Sequence, residues 1–389
     1  MKHLMSRQGT LLVRKAPESL WTQWSTQVRQ FLPQIHGQQS KTLAFFVLGV
    51  ILAGTPRVPR VAEALLAISP AKTPSIERRL ARFLANHRID VASLWTPLLS
   101  QLLRCWRDQR LVFVLDGTAI DERASLVYLG LRVHSRLLPV SWQVMPIHEP
   151  WEQRQWSLVG SLLDRVTPLL GAADCPLLAD RGLAGLPLVQ LCQARGWHFV
   201  LRLSRQHTCQ PQQGRWAGRW RACGSLVTQR GQQWFGPALV WQEHYLSAFI
   251  SAVCDAGQRE PWILLSDRPA GRQRVQEYAR RMRVESTFED CKLRGWDLEG
   301  TVIADRTRLD RLLLVLFLSL WWLAHLAACC VHHGQRARFD RHDRRDTGIF
   351  RLGRLWLLDL LRRTERADSL TWCLPFRKQR GGWAFSLRF

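Results

Sequence analysis

Between residues 111 and 204 the chain alternates short apolar runs with amphipathic stretches, and their order is the tightest constraint on the fold. LVFVLDGT, SLVYLGLRVHS and LPVSWQVM are rich in β-branched and aromatic residues and predict three strands. QRQWSLVGSLLDRVTPLL then carries apolar positions at helical spacing, CPLLAD predicts a strand, LAGLPLVQLCQARGW a helix and HFVLRLS another strand. Three strands, helix, strand, helix, strand imply an α/β fold with a mixed sheet covered by helices. Residues 204–258 break this rhythm. They are rich in Gln, Gly, Arg and Trp, with strand-like SLVT, ALVWQ and SAFISAV, and are read as an inserted β-rich subdomain. The core resumes with WILLSD, and a long helix is expected from about Gly271 to Leu293.

The flanks are helical. SLWTQWSTQVRQFLPQ, KTLAFFVLGVILAG and VAEALLAI have helical periodicity, and SIERRLARFLANHR combines a Ser75 N-cap, Glu77 in the first turn and a basic face. Two helices joined by SPAKTP, the second bearing Arg78, Arg79, Arg82 and Arg88, suit a small DNA-binding module. Residues 312–331, LLLVLFLSLWWLAHLAACCV, are long enough to span a bilayer, but Arg-rich flanks on both sides favour a buried core helix. RLGRLWLLDLLRRTER supplies a further basic helix. The expected organisation is a helical DNA-binding region over 1–105, a catalytic core over 106–305 holding the 204–258 insertion, and a helical region over 306–389.

With 47% hydrophobic residues the chain is globular, and 55 Lys and Arg against 31 Asp and Glu give a net charge of +24. Such an excess favours polyanions, because each phosphate contact releases condensed counterions. The 19 Trp suit base stacking as well as a core. Ten Cys at irregular spacing form no CxxC pair and no zinc pattern, which fits reduced thiols in a cytoplasmic, nucleoid-associated protein. The first 18 residues lack a continuous apolar segment and a small-residue cleavage site, so secretion is not expected.

Chemistry concentrates in the acids. Asp116 and Asp180 each follow a predicted strand, where side chains emerge from a sheet edge into a crevice. Two closely spaced metal ions need carboxylates from separate elements to offset their charge. In the helix EYARRMRVESTFEDCKLRGW, Tyr278, Arg281, Glu285 and Lys292 project within an arc of about 60°. A carboxylate among Tyr, Arg and Lys suits metal and phosphate together. Glu289 lies on nearly the same face, so geometry does not choose between it and Glu285.

The spacing Tyr278, two residues, Arg281, three residues, Glu285, six residues, Lys292 resembles the Y-R-E-K signature of bacterial transposases of the insertion sequence four group. VLDGT around Asp116 and LADRG around Asp180 resemble that family's other acidic motifs. The resemblance implies a ribonuclease-H-like core with a β insertion, and prefers Glu285 over Glu289. It implies a DDE enzyme with Asp116, Asp180 and Glu285 as catalytic, metal-holding residues, two Mg²⁺ with Mn²⁺ as substitute, and Tyr278, Arg281 and Lys292 on phosphates. PWILLSD resembles a segment whose Trp, here Trp262, stacks on a flipped base. The partners implied are double-stranded DNA, as transposon ends and target, and a second copy in a synaptic homodimer, with no membrane involved.

Overall fold

The computed structural model describes residues 16–362 except 107–108, 121, 123, 134–135, 147–150, 283–295, 342 and 344–346. Two compact units emerge: residues 106–288, and residues 1–105 together with 289–389. The terminal helical regions, separate in sequence, are thus one unit.

That helical unit comprises α1 (Ala16–Phe31), α2 (Gly37–Ala53), α3 (Val58–Leu65), α4 (Thr73–Ala85) and α5 (Val91–Leu103), with two later helices described below. α4 begins two residues before Ser75. Pro74, with its preset φ, occupies the first turn, and Lys72 stands at the N-cap position without a side-chain cap.

In the other unit, β1 (Phe113–Ile120), β2 (Ala124–Val133), β3 (Arg136–Pro146), α6 (Trp151–Leu170), β4 (Pro176–Ala179), α7 (Leu186–Gln193) and β5 (His198–Arg202) follow the expected order. β1, β2 and β3 are antiparallel neighbours, whereas β4 runs parallel to both β1 and β5. The result is a mixed sheet of ribonuclease-H type, as the strand order β3-β2-β1-β4-β5 requires. β4 is buried along its whole length, as a strand covered on both faces must be. α6 touches β2, β3 and α7, and α7 touches β5.

The insertion supplies β6 (Thr208–Pro211), β7 (Arg221–Ala222), β8 (Gln233–Val240) and β9 (Leu246–Val253). These strands continue the core sheet instead of building a sheet of their own. β10 (Trp262–Ser266) pairs antiparallel with β5 on one side and β9 on the other, giving ten strands in all. SLVT is not a strand. Residues 223–225 form a short 3₁₀ turn, and the Gln232 side chain accepts the backbone N–H groups of Thr228 and Gln229, closing a turn where a ladder was expected. α8 (Arg272–Met282) follows and lies against β5, β9 and β10.

The apolar run forms α9 (Arg306–His332), whose residues from Leu312 to Cys330 are buried within the helical unit against α2, α4, α5 and α10 (Ile349–Arg362). Its buried Arg311 donates to the carbonyls of Leu84 and Ile89 at 2.7 and 3.1 Å, satisfying a charge that would otherwise oppose burial.

Candidate active site

The site is built by register. Leu115 pairs with Ala179 in the parallel ladder between β1 and β4, so the next residue on each strand is an aspartate, Asp116 beside Asp180. Asp116 is not the last residue of its strand. β1 runs on to Ile120 because β2 keeps pairing with it, placing Tyr128 opposite Asp116. Asp180 lies just beyond β4, where its Oδ1 accepts the Gly182 N–H at 3.0 Å, as Asx turns do. Asp116 Oδ1 accepts the Gly117 N–H at 2.9 Å.

Arg281 of α8 stands between the two acids. One of its terminal nitrogens lies 3.0 Å from Asp116 Oδ2 and 3.7 Å from Asp180 Oδ2. The arginine side chain is 5% exposed, against 23% for Asp116 and 39% for Asp180. The cation therefore comes from the interior while the carboxylates face outward. This polarity suits an anionic partner approaching over an acidic floor with a positive charge already fixed beneath it.

One turn earlier on α8, Tyr278 is fully buried, its ring edge-to-face with Trp262 at 5.3 Å between centroids. Its hydroxyl has no hydrogen-bond partner among the described residues. Burial pushes the phenol's pKa up, so it stays a donor. Trp262, first residue of β10, is half-buried. Glu285, Glu289 and Lys292 lie outside the described residues.

Several neighbours were not foreseen from sequence. The Tyr128 hydroxyl reaches Asp116 Oδ2 at 3.5 Å. Glu260 accepts from Arg181, directly after Asp180, at 2.9 Å and from Arg202 at the end of β5 at 2.5 Å. Antiparallel counting across a β1–β2 hairpin would have placed Tyr128 near Asp116. No local signal marks Glu260, which comes from the loop before β10.

Two adjacent carboxylates offer hard oxygen donors of the kind divalent cations take, and the charge Arg281 now brings between them is the sign a cation would bring. The pair thus fits one shared ion. Among the described residues no group of three His, Cys, Asp or Glu that could hold a metal ion is present. The described cysteines are not competitors for such chemistry. All are buried and free, and burial pushes the thiols of Cys175 and Cys192 up to about 12.

Residues 156–322 match the family model of the transposase DDE domain. The match includes Asp180, Tyr278, Arg281 and Glu285, and begins after Asp116. No curated protein sequence matches the chain. The family match supports a DDE transposase of insertion-sequence type, and with it DNA transposition as the general activity. Enzymes of this kind cleave DNA and transfer strands, generally with divalent metal ions.

Proposed function

We propose that the chain is a cut-and-paste transposase of the insertion sequence four type. It binds transposon ends, cuts them through a hairpin intermediate and joins the freed 3′ ends to target DNA, working as a homodimer that synapses two ends. The observation that carries this reading is the Asp116–Asp180 pair, held side by side in adjoining strands with Arg281 between them. Asp180 and Arg281 also fall within the matched domain.

In this reading Asp116 and Asp180 would hold Mg²⁺, with Glu285 completing the set, and Mn²⁺ could substitute because it shares the oxygen preference. Once bound, the ions supply an activated water or 3′-hydroxyl and neutralise charge on the leaving oxygen. The chain's own groups position the DNA. Arg281, fixed by burial, pairs with a phosphate oxygen beside the cut, and Lys292 takes a neighbouring phosphate. Tyr278 donates from a hydroxyl that is otherwise unsatisfied among the described residues. Trp262 stacks on a base extruded at the hairpin, where unstacking relieves the tight DNA turn.

The test is excision of a marker placed between the gene's native flanking ends, comparing wild type with Glu285→Gln in Mg²⁺. Excision should be lost in the variant while end binding persists. Joint loss of binding and cutting would remove Glu285 from a purely catalytic role. Released 5′-phosphate ends without joined products would instead fit a nuclease on the same core.

A further inference from the structure

We infer that Glu260 is a positioning residue for the acidic pair: its carboxylate holds Arg181, the cation next in sequence to Asp180, away from Asp116 and Asp180. This rests on the reading of those two acids as the holders of a divalent ion.

The need for such a device is written in the chain. Asp180 and Arg181 are adjacent, so a carboxylate suited to a metal ion is followed at once by a permanent positive charge. A guanidinium stays charged at any working pH and forks readily onto a carboxylate. The site already contains one. Arg281 lies 3.0 Å from Asp116 and 3.7 Å from Asp180, which leaves the pair with one negative charge in excess. That excess is what draws a divalent cation, and a second guanidinium would cancel it.

The fold directs Arg181 elsewhere. Beyond β4, Asp180 Oδ1 accepts the Gly182 N–H at 3.0 Å and its carbonyl accepts the Leu183 N–H at 3.2 Å, so the turn closes around Asp180. Arg181 meets Glu260 instead, one terminal nitrogen donating to Oε1 at 2.9 Å and lying 3.3 Å from Oε2. Glu260 stands before Pro261, whose ring confines the preceding residue to extended backbone, and the chain then enters β10 at Trp262.

Arg202 anchors this acid from the other side. It donates to the same Oε1 at 2.5 Å, and it ends β5, where the ladder pairs it with Leu264 of β10. Its side chain is 14% exposed, against 57% for Arg181. Arg202 is therefore fixed by the sheet, and Arg181 is the arginine free to move. Without the Glu260 charge the two guanidiniums would face each other with no acid between them. Arg181 would then swing away, and the acid one residue from it is Asp180. As a stabilising contact the pair matters little, because both partners reach solvent. Its effect is on where the charge sits.

The experiment titrates the full chain with Mn²⁺ and follows the free ion by electron paramagnetic resonance, for wild type, Glu260→Gln, Arg181→Gln and the double variant. Glu260→Gln should bind Mn²⁺ about tenfold more weakly, the smaller end of what losing a residue that orients a metal ligand costs. Arg181→Gln should bind at least as tightly as wild type, since the competing charge is gone. The double variant should regain wild-type affinity. Cleavage of a duplex carrying the native flanking ends should follow suit, with Glu260→Gln needing about ten times more Mg²⁺ for half-maximal rate but turning over near wild type once saturated. Unfolding temperatures are measured alongside. If Glu260→Gln melts early, Glu260→Asp takes its place, keeping the charge one methylene short, and should show a smaller loss that Arg181→Gln again relieves. Unchanged Mn²⁺ affinity in Glu260→Gln overturns the inference while leaving the acidic pair as a metal site. So does equal weakening by Glu260→Gln and Arg181→Gln with no recovery in the double variant, the pattern of a simple brace. Absence of Mn²⁺ binding by wild type overturns the underlying reading of the acids as well.

Discussion

Asp174 and Asp180 flank the same short strand, β4, and live in opposite electrostatic worlds. At the amino end, Asp174 meets Arg268 at 2.7 Å and Arg110 at 3.4 Å, with His198 Nε2 at 3.7 Å. The network continues outward. His198 Nδ1 lies 2.6 Å from Asp267, whose other oxygen accepts the Phe199 N–H, while Glu277 pairs with Arg110 and with Arg274. At the carboxyl end, Asp180 has, among the described residues, only the more distant share of Arg281 and a backbone N–H, and remains 39% exposed. A carboxylate surrounded by cations holds elements together. One left short of positive charge at a sheet edge is poised to take a cation from solution.

The contrast can be broken from either end. Asp180→Asn should lower DNA cleavage on the order of 10⁴-fold, as losing one member of a catalytic set commonly does, with unfolding free energy changed by less than about 1 kcal/mol. An equally active Asp180→Asn would erase the distinction. Asp174→Asn should do the reverse. Removing the hub of a partly buried network, discounted because Asp174 is about one-third exposed, should cost about 1–3 kcal/mol, or about 2–4 °C of melting temperature per kcal/mol. Cleavage per folded molecule should stay near wild type, and a large loss of turnover at unchanged stability would place Asp174 in the chemistry instead.

A pair on α6 and α7's trailing turn, with its acid exposed and its arginine largely buried, sharpens the scale. Asp164 accepts from Arg195 Nε at 2.8 Å and from a second nitrogen at 2.9 Å, and that hydrogen bonding, with the arginine's charge, holds its pKa below the usual carboxylate range. Because the folded state lowers this pKa, the contribution is present above the unfolded value near pH 3.9 and is lost as pH falls through the lower, folded one. With Asp164 64% exposed, Arg195→Ala should cost under about 1 kcal/mol at pH 7 and less still in strong acid, read from urea melts at both pH values. A larger loss, or one independent of pH, would mean that the Arg195 hydrogen bond to the Leu191 carbonyl matters more than the ion pair.

Local pattern carried the core elements well, since the apolar runs in FVLDGTAI and PLLA and the helical spacing in α6 are properties of contiguous residues. Register was not legible. That Asp116 and Asp180 fall side by side, or that Tyr128 faces Asp116, depends on which strands pair and in what phase. The joining of the insertion to β10 was hidden for the same reason, because a strand's pattern does not name its neighbour. Tyr278 shows the limit of reading a helix face. Its spacing with Arg281 was legible, but that its ring packs edge-to-face on Trp262 depends on how α8 lies against β10. Glu285 and Lys292 rest on the motif alone.

The continuity of the ten-stranded sheet has a consequence for engineering. β10 is hydrogen-bonded on both sides, by β5 from the core and by β9 from the insertion. A chain trimmed of residues 204–258 would expose WILLS as a bare edge, apolar and without a charge or proline to blunt it, the kind of template on which chains add end to end into aggregates. The insertion therefore acts as a cap against polymerisation, and any minimal version of the enzyme must replace that cap as well as remove the segment.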